Sequence, residues 1–161
     1  MSEPVPPKFI ADQNVGKLAR WLRLMGYDAA FFGHGSDTAL VSQAMAEGRV
    51  ILTRDHELLK RRLVNSGKLR VAVFDTAVPE EQLCQLIKKF HLNVRFRPFS
   101  ICIECNHLLE ARRPEDVRER VPPYVFQTQT EFVECPQCRR IYWPGSHWQA
   151  LNRELDSFEC C

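Results

Sequence analysis

Aspartates occur at the places along this chain where ligand-binding groups of an α/β protein are expected. Asp12, Asp55 and Asp75 each follow a short apolar run, and Asp37 opens an amphipathic segment. If the runs are parallel strands, all four carboxylates lie at the edge where strands end and helices begin, which is where open α/β sheets bind ligands. Each aspartate alone would equally suit a helix cap or a strand end.

Carboxylates that converge in one crevice repel one another unless a cation neutralises them. Hard divalent ions such as Mg²⁺ and Mn²⁺ prefer oxygen ligands and suit such a crevice. An ion held there can activate water and stabilise the charge that develops on a phosphodiester. No Ser-His-Asp arrangement or phosphate-binding glycine loop competes, because Gly33-x-Gly35 lacks a third glycine and a following lysine.

A second set of ligand-type side chains lies near the C-terminus. Cys102, Cys105, Cys135 and Cys138 form two C-x-x-C pairs, whose thiolates predict one closed, structural Zn²⁺ site. Two redox motifs are the alternative, which is disfavoured because neither pair opens a helix after a strand. Four further residues of this region could be ligands but are not required, because the four-cysteine set is complete: His107, His147, Cys160 and Cys161. Cys84 stands alone in the sequence.

The elements that must position these groups alternate between strand and helix. Apolar residues at helical spacing, such as Leu18, Trp21, Leu22 and Met25, follow the first short apolar run, and the alternation occurs four times. This predicts a parallel sheet covered by helices. The predicted strands are residues 8–11, 29–32, 50–53 and 69–74, and the helices include a basic one over 57–64.

After Phe90 the pattern changes to a short ribbon. Residues 130–134 and 140–143 are predicted to pair as a hairpin around the second C-x-x-C, and a short helix is predicted within 145–155. Trp143 and Trp148 either stack on nucleic-acid bases or form the core of this small module, and the second interpretation is favoured.

The composition is that of an ordinary globular protein. The chain has 161 residues, 45% hydrophobic and 26% charged content and a net charge of +2, so any nucleic-acid-binding patch must be local. No apolar run is long enough to span a bilayer, and the N-terminus has no signal-peptide core. We therefore expect a cytoplasmic protein without membrane contacts.

Several blocks together resemble the Mut7-C domain, a branch of the PIN-like ribonuclease superfamily. The resemblance runs from about Phe9 to Leu155 and depends on the order and spacing of the blocks. The main blocks are Asp12-x-x-x-Gly16-x-Leu18-Ala19-Arg20-Trp21-Leu22-Arg23, Gly48-Arg49-x-Ile51-Leu52-Thr53-Arg54-Asp55, Cys102-x-x-Cys105-Asn106, Cys135-Pro136-x-Cys138 and Tyr142-Trp143-x-Gly145-Ser146-His147.

The resemblance implies a PIN-like three-layer α/β nuclease domain over residues 1–98, followed by a zinc-ribbon module over 99–161. It implies metal-dependent RNA cleavage in which Asp12, Asp37 and Asp55 hold Mg²⁺ or Mn²⁺. PIN nucleases have a further acid on an earlier helix that has no match here, and Asp75 is the candidate substitute. Four basic residues are expected to contact RNA phosphates. Lys17, Arg20 and Arg23 are expected on the solvent side of the first helix, and Arg54 adjoins Asp55.

Other functions remain open from the sequence. An incomplete acidic site would leave a non-catalytic RNA- or ribosome-binding protein. A phosphoacceptor domain with Asp55 as acceptor is less consistent, since the first strand ends in one acid and no fifth strand with a lysine follows. Many PIN proteins are toxins, so the resemblance also leaves open an antitoxin-like partner; the oligomeric state is not predicted.

Overall fold

A four-stranded parallel sheet forms the centre of the protein in the computed structural model, which describes residues 4–159 and residue 161. The strands are β1 (Lys8–Asp12), β2 (Ala29–Phe32), β3 (Arg49–Thr53) and β4 (Val71–Val73). They are ordered β2-β1-β3-β4, with Ile10 opposite both Ala30 and Ile51. The predicted alternation of strands and helices around a parallel sheet is confirmed.

Helices cover the two faces of this sheet, because side chains alternate along each strand. Phe9 and Leu52 pack with α1 (Gly16–Met25) and α4 (Pro79–Phe90). Ile10 and Ile51 point the other way and pack with α2 (Asp37–Glu47). All four of these strand side chains are completely buried.

The end of α1 requires a glycine. Gly26 has φ +100°, and a Cβ atom there would lie 2.4 Å from the carbonyl oxygen of Arg97. The glycine therefore lets the chain turn sharply towards β2 and lets the backbone of Arg97 approach closely.

The expected helix over residues 57–64 is wrong. After Asp55 the chain makes a 3-10 turn over His56–Lys60, passes through Arg61 in an extended conformation (φ −66°, ψ 139°), and forms only the single turn α3 (Arg62–Asn65). The Asp55 carboxylate accepts a hydrogen bond from the Glu57 N–H, which favours the tight turn over a regular helix.

The ribbon has three antiparallel strands, where the sequence predicted a hairpin. The predicted hairpin is β6 (Phe132–Glu134) with β7 (Ile141–Tyr142), and β5 (Glu110–Arg112) pairs with the other edge of β6. Between β5 and β6 lie the short helices α5 (Pro114–Val117) and α6 (Pro123–Thr128).

The last helix is longer than predicted and belongs to the main core. It is α7 (Ser146–Phe158), and its Leu151, Leu155 and Phe158 join the buried cluster that includes α1. The ring of Phe158 lies 5.2 Å from that of Trp21, centroid to centroid. Helix α1, near the N-terminus, is thus partly covered by α7, near the C-terminus.

A disulfide joins Cys84 of α4 to Cys161, with a Cα–Cα distance of 5.0 Å. The sequence-based view of Cys84 as an isolated cysteine is therefore wrong, and Cys161 is no metal ligand. Cys160 lies outside the described residues. None of the helices in the described part of the chain has the length and apolarity needed to cross a bilayer.

Candidate functional site

Asp12, Asp37 and Asp55 line one crevice at the carboxyl edge of the sheet. Asp12 is the last residue of β1, Asp55 follows the end of β3, and Asp37 is the first residue of α2. The crevice has a volume of about 290 Å³, and Asn14 and His34 also lie in its wall.

A hydrogen-bonded chain through Thr53 links two of the carboxylates. Its hydroxyl donates to Asp12 Oδ2 at 2.8 Å and accepts from the backbone N–H of Asp55 at 3.0 Å. The other oxygen of Asp12 accepts from the Gln13 N–H at 2.8 Å. Thr53 is fully buried, so it holds Asp12 and the Asp55 backbone in a fixed relation. Sequence reasoning treated Thr53 only as a strand residue, although the Thr-Arg-Asp spacing carried the information.

The carboxylates of the crevice influence one another electrostatically. Partial desolvation, followed by the negative charges of Asp55 and Asp12, raises the pKa of the Asp37 carboxyl, while the nearby Arg61 opposes this shift. A cation in the crevice would relieve this repulsion.

The three aspartates share a crevice without forming a tight cluster. Among the described residues, the four cysteines are the one group of three or more His, Cys, Asp or Glu side chains whose potential ligand atoms all lie within 4.8 Å of one another. The three aspartates are therefore more widely spaced than the cysteines. Asp37 and Asp55 are close enough for their side chains to share a hydrogen bond, whereas the three carboxylates are not all in mutual contact. Such a donor set fits Mg²⁺, which keeps several of its waters and is usually bound by one or two carboxylates.

Asp75 lies apart from the crevice lining. Its carboxylate oxygen Oδ1 is 2.9 Å from Nε2 of His56, and its side chain is 90% exposed. The structure therefore pairs this acid with a histidine on the surface and leaves the crevice with three aspartates.

The predicted phosphate-binding residues separate into two groups. Arg54 is exposed beside the crevice, and its backbone N–H donates to Asn14 Oδ1 at 3.3 Å. Lys17 is also exposed, with its ammonium 4.8 Å from the centroid of the Trp21 ring. Both are free to contact a phosphate. Arg20 is 41% exposed and pairs with Glu104 at 3.2 Å.

The prediction that Arg23 lies on the solvent side of α1 is wrong. The residue is 8% exposed, and its guanidinium donates to the carbonyl of Ala29 at 2.8 Å and to those of Ile103 and Glu104 at 2.9 and 3.3 Å. Arg23 thus fastens the first C-x-x-C segment to the start of β2, and the donors on its Nε and Nη1 atoms are occupied by these backbone carbonyls.

The four cysteines form a compact thiol cluster. The sulfur atoms lie within 4.8 Å of one another, and Cys102 Sγ is 3.8 Å from Cys138 Sγ. A tetrahedral ion with Zn–S bonds of 2.3 Å has S–S edges of about 3.8 Å, so the cluster can hold a metal such as zinc.

The two C-x-x-C segments have the same local structure. The N–H of Asn106 donates to the carbonyl of Cys102, and the N–H of Arg139 donates to the carbonyl of Cys135, each at 2.9 Å. Asn106 and Arg139 have φ of 66° and 67°, so each segment closes as a tight knuckle.

Hydrogen bonds prepare one thiol of this cluster for ionisation. Burial raises the pKa of Cys102, but the Tyr142 hydroxyl and the backbone N–H groups of Cys105 and Glu104 outweigh it and lower that pKa to about 7. Because Cys105 is partly desolvated and faces the other thiols, its pKa rises to about 12. A metal would favour the thiolate form of all four.

Asn106 joins the thiol cluster to the parallel sheet and was missed as a functional residue. Its Oδ1 accepts from the Ala29 N–H at 2.9 Å and its Nδ2 donates to Asp28 Oδ1 at 2.6 Å. Arg49 also donates to Asp28, at 2.7 Å. The cluster is therefore attached where β2 begins, at the end of the sheet opposite the acidic crevice.

These features define an α/β protein in which a parallel sheet presents an acidic crevice and carries a four-cysteine ribbon. The chain belongs to the Mut7-C RNase domain family, whose pattern it matches over residues 7–155. This membership supports a nuclease.

The chain is also similar to the human protein named exonuclease mut-7 homolog, with 34% identity over 103 residues. The match covers 62% of this chain and 12% of that protein, so the chain corresponds to a small part of its relative. No solved structure matches the chain.

Proposed function

We propose that the protein is a metal-dependent ribonuclease whose active site is the acidic crevice. The observation that carries the proposal is the convergence of Asp12, Asp37 and Asp55 at the carboxyl edge of the sheet in a Mut7-C RNase domain. Their carboxylates would hold Mg²⁺ or Mn²⁺, which supplies an activated water and stabilises charge on the phosphodiester.

The chain's own residues would prepare this reaction. Thr53 fixes the orientation of Asp12, and the Asp55 carboxylate is oriented by the N–H of Glu57. Arg54 and Lys17 would hold the RNA backbone beside the crevice by contacts to phosphates, which position a nucleic acid without reading its sequence.

The distribution of charge favours RNA binding by the sheet-bearing part of the chain. Residues 1–98 contain 15 Lys and Arg against 10 Asp and Glu, a net charge of +5, whereas residues 99–161 contain 7 against 10, a net charge of −3. A polyanion is therefore attracted mainly to the part that carries the crevice.

The proposal includes a PIN-like nuclease domain over residues 1–98 and a zinc ribbon over 99–161. Cys102, Cys105, Cys135 and Cys138 would bind Zn²⁺ in a closed four-thiolate site, which has a structural role because no ligand position is left for substrate. Zinc there would hold the knuckles that Arg23 and Asn106 attach to the sheet.

A non-catalytic RNA-binding protein is the second candidate. It is favoured by the position of Asp75, whose ion pair with His56 leaves the crevice without a fourth acid. RNA binding that is independent of Asp12 and Asp55 would then be the activity of the protein.

Cleavage of RNA labelled at its 5′ or 3′ end tests the first proposal. The zinc-loaded parent is compared with Asp12→Asn and Asp55→Asn, each with Mg²⁺ or Mn²⁺ and each shown to be folded. We expect metal-dependent cleavage that both substitutions abolish. Because the human relative is named an exonuclease, the two labels also distinguish stepwise from internal cleavage.

Asp75→Asn is the matched control, since Asp75 is an exposed carboxylate at the end of a neighbouring strand. Its cleavage should remain within about twofold of the parent. Cleavage that survives loss of Asp12 and Asp55 would refute the assigned site. RNA binding without cleavage would favour the second candidate.

A further inference from the structure

A second concavity lies between the ribbon and α7, away from the acidic crevice. It has a volume of about 400 Å³, within the range of small-molecule and nucleotide sites. We call it the aromatic cavity. The side chains that distinguish its lining are Tyr124, Arg140, Tyr142, Trp143, His147 and Trp148.

We propose that the aromatic cavity binds one nucleobase of single-stranded RNA, with the adjoining phosphate at Arg140. Aromatic rings that accept a base by stacking are the usual means of holding single strands. The choice of RNA as ligand rests on the proposed ribonuclease function.

The rings of the cavity are held in place before any ligand arrives. Trp148 stacks on Phe99, with ring centroids 4.0 Å apart and planes 22° apart. The Tyr142 hydroxyl contacts Cys102 Sγ at 3.3 Å, and the ring centroids of Trp143 and Phe132 are 6.3 Å apart. Such fixed rings lose little conformational freedom when a base binds between them.

Tyr124 differs from these rings because it is largely free. It belongs to α6 and is 69% exposed at the cavity, an unusual position for a large aromatic side chain. A base entering the cavity would cover this ring and remove apolar surface from water.

The charges at the cavity complement a phosphate. No Asp or Glu is among the lining residues, although acids outnumber bases in residues 99–161. Arg140 is 58% exposed and has one distant pairing, with Glu104 at 3.5 Å, so its guanidinium can bind an anion at small cost. Ser146 and His147, the first residues of α7, also line the cavity, and no side chain caps this end of the helix.

The cavity and the crevice are separated by much of α1. Gly16 begins this helix next to the crevice-lining Asn14, and Leu24 lines the aromatic cavity. Eight residues of helix correspond to about 12 Å. One strand of RNA can therefore occupy both sites only if it extends along this side of the protein, so we choose a ten-nucleotide probe.

The test measures binding of a fluorescein-labelled, single-stranded RNA decamer to the zinc-loaded full chain, without added Mg²⁺ or Mn²⁺. Fluorescence anisotropy gives the affinity for the parent, Tyr124→Ala and Arg140→Gln. We expect Tyr124→Ala to weaken binding about tenfold, the scale of losing one stacked base. We expect Arg140→Gln to weaken it by a similar factor, the scale of losing one hydrogen bond to a charged group. An abasic decamer should bind to the parent at least as weakly as the intact decamer binds to Tyr124→Ala, because it has no base to stack on any ring of the cavity.

Two matched variants control the test, and thermal denaturation shows that every variant is folded. Tyr124→Phe keeps the ring, and Arg113→Gln removes an exposed arginine of the same module that is not in the cavity lining. Both should bind RNA within twofold of the parent. Because Trp21 is buried, quenching of tryptophan fluorescence by bound RNA would report a base at Trp143 or Trp148.

Equal binding of intact and abasic RNA, equal binding by all four variants, or absence of RNA binding would overturn this inference. If all four variants bind RNA equally, an apolar side chain of a protein partner becomes the better candidate to occupy the aromatic cavity. The ribonuclease proposal is decided separately, because its cleavage assay depends on Asp12 and Asp55. Loss of cleavage in those variants with cavity binding intact would support both proposals.

Discussion

Replacing Arg23 with glutamine should destabilise the protein far more than it weakens RNA binding. The arginine is 8% exposed and donates three hydrogen bonds, to the carbonyls of Ala29, Ile103 and Glu104. Glutamine has no positive charge and is too short to reach all three acceptors. The substitution would remove the charged donor from the two buried contacts, those to the carbonyls of Ala29 and Ile103.

The expected loss follows from the two shorter bonds, at 2.8 and 2.9 Å. A hydrogen bond to a charged group contributes about 1.5–3 kcal/mol. Losing two of them should lower the free energy of unfolding by about 3–6 kcal/mol, and the melting temperature of a chain of this size by about 10 °C. Arg20→Gln is the matched control, because its exposed pair with Glu104 should contribute less than about 1 kcal/mol.

Thermal denaturation followed by circular dichroism measures both variants, and RNA affinity is measured at a temperature where both are folded. We expect a large stability loss for Arg23→Gln and near-parental RNA affinity. An unchanged melting temperature with strongly weakened RNA binding would refute the structural role and restore the phosphate-contact role that the sequence predicted.

The remaining predictions concern the cysteines and the crevice. Cys102→Ser should reduce bound zinc, measured by elemental analysis, from one ion per chain to far less, and lower the melting temperature; unchanged zinc content would contradict a four-thiolate site. Cys84→Ser should lower stability under oxidising conditions by at most about 4.5 kcal/mol, the loop-entropy value for the 77-residue separation from Cys161, and the difference from the parent should vanish with reductant. The raised pKa of Asp37 means that folding favours the protonated carboxyl. This contribution to the free energy of unfolding is complete at a pH below the ordinary pKa of 3.8 and is lost as the pH rises through the raised pKa. Without added metal, Asp37→Asn should therefore gain stability relative to the parent between pH 3 and pH 7, and parallel melting curves across that range would refute the shift.

Local patterns in the sequence were enough to predict the parallel sheet. Each strand is a short apolar run, and the helical spacing of Leu18, Trp21, Leu22 and Met25 indicated an apolar face of α1 that is buried in one cluster with residues of the sheet. Because parallel strands end at one edge, the order of elements also predicted that Asp12 and Asp55 would lie near each other.

Arg23 shows why the rest could not be predicted. Helical periodicity identifies the face that packs on the sheet, but α1 also makes a second set of contacts on its other side. Leu24 and Arg23 are buried there by residues of the ribbon and α7. A contact between residues about 80 positions apart leaves no periodic trace in either segment. The pairing of Cys84 with Cys161 was equally inaccessible, since cysteine spacing does not determine disulfide connectivity.

The return of α7 to the core has a consequence for how this protein can be divided. Leu155 is completely buried and Phe158 contacts Trp21, so a fragment that ends at residue 98 would expose the apolar side of α1 to water. Such a fragment would tend to aggregate. Expression of the acidic crevice alone, or its transfer into a chimeric protein, therefore requires α7 to be included or an apolar surface of similar shape to replace it.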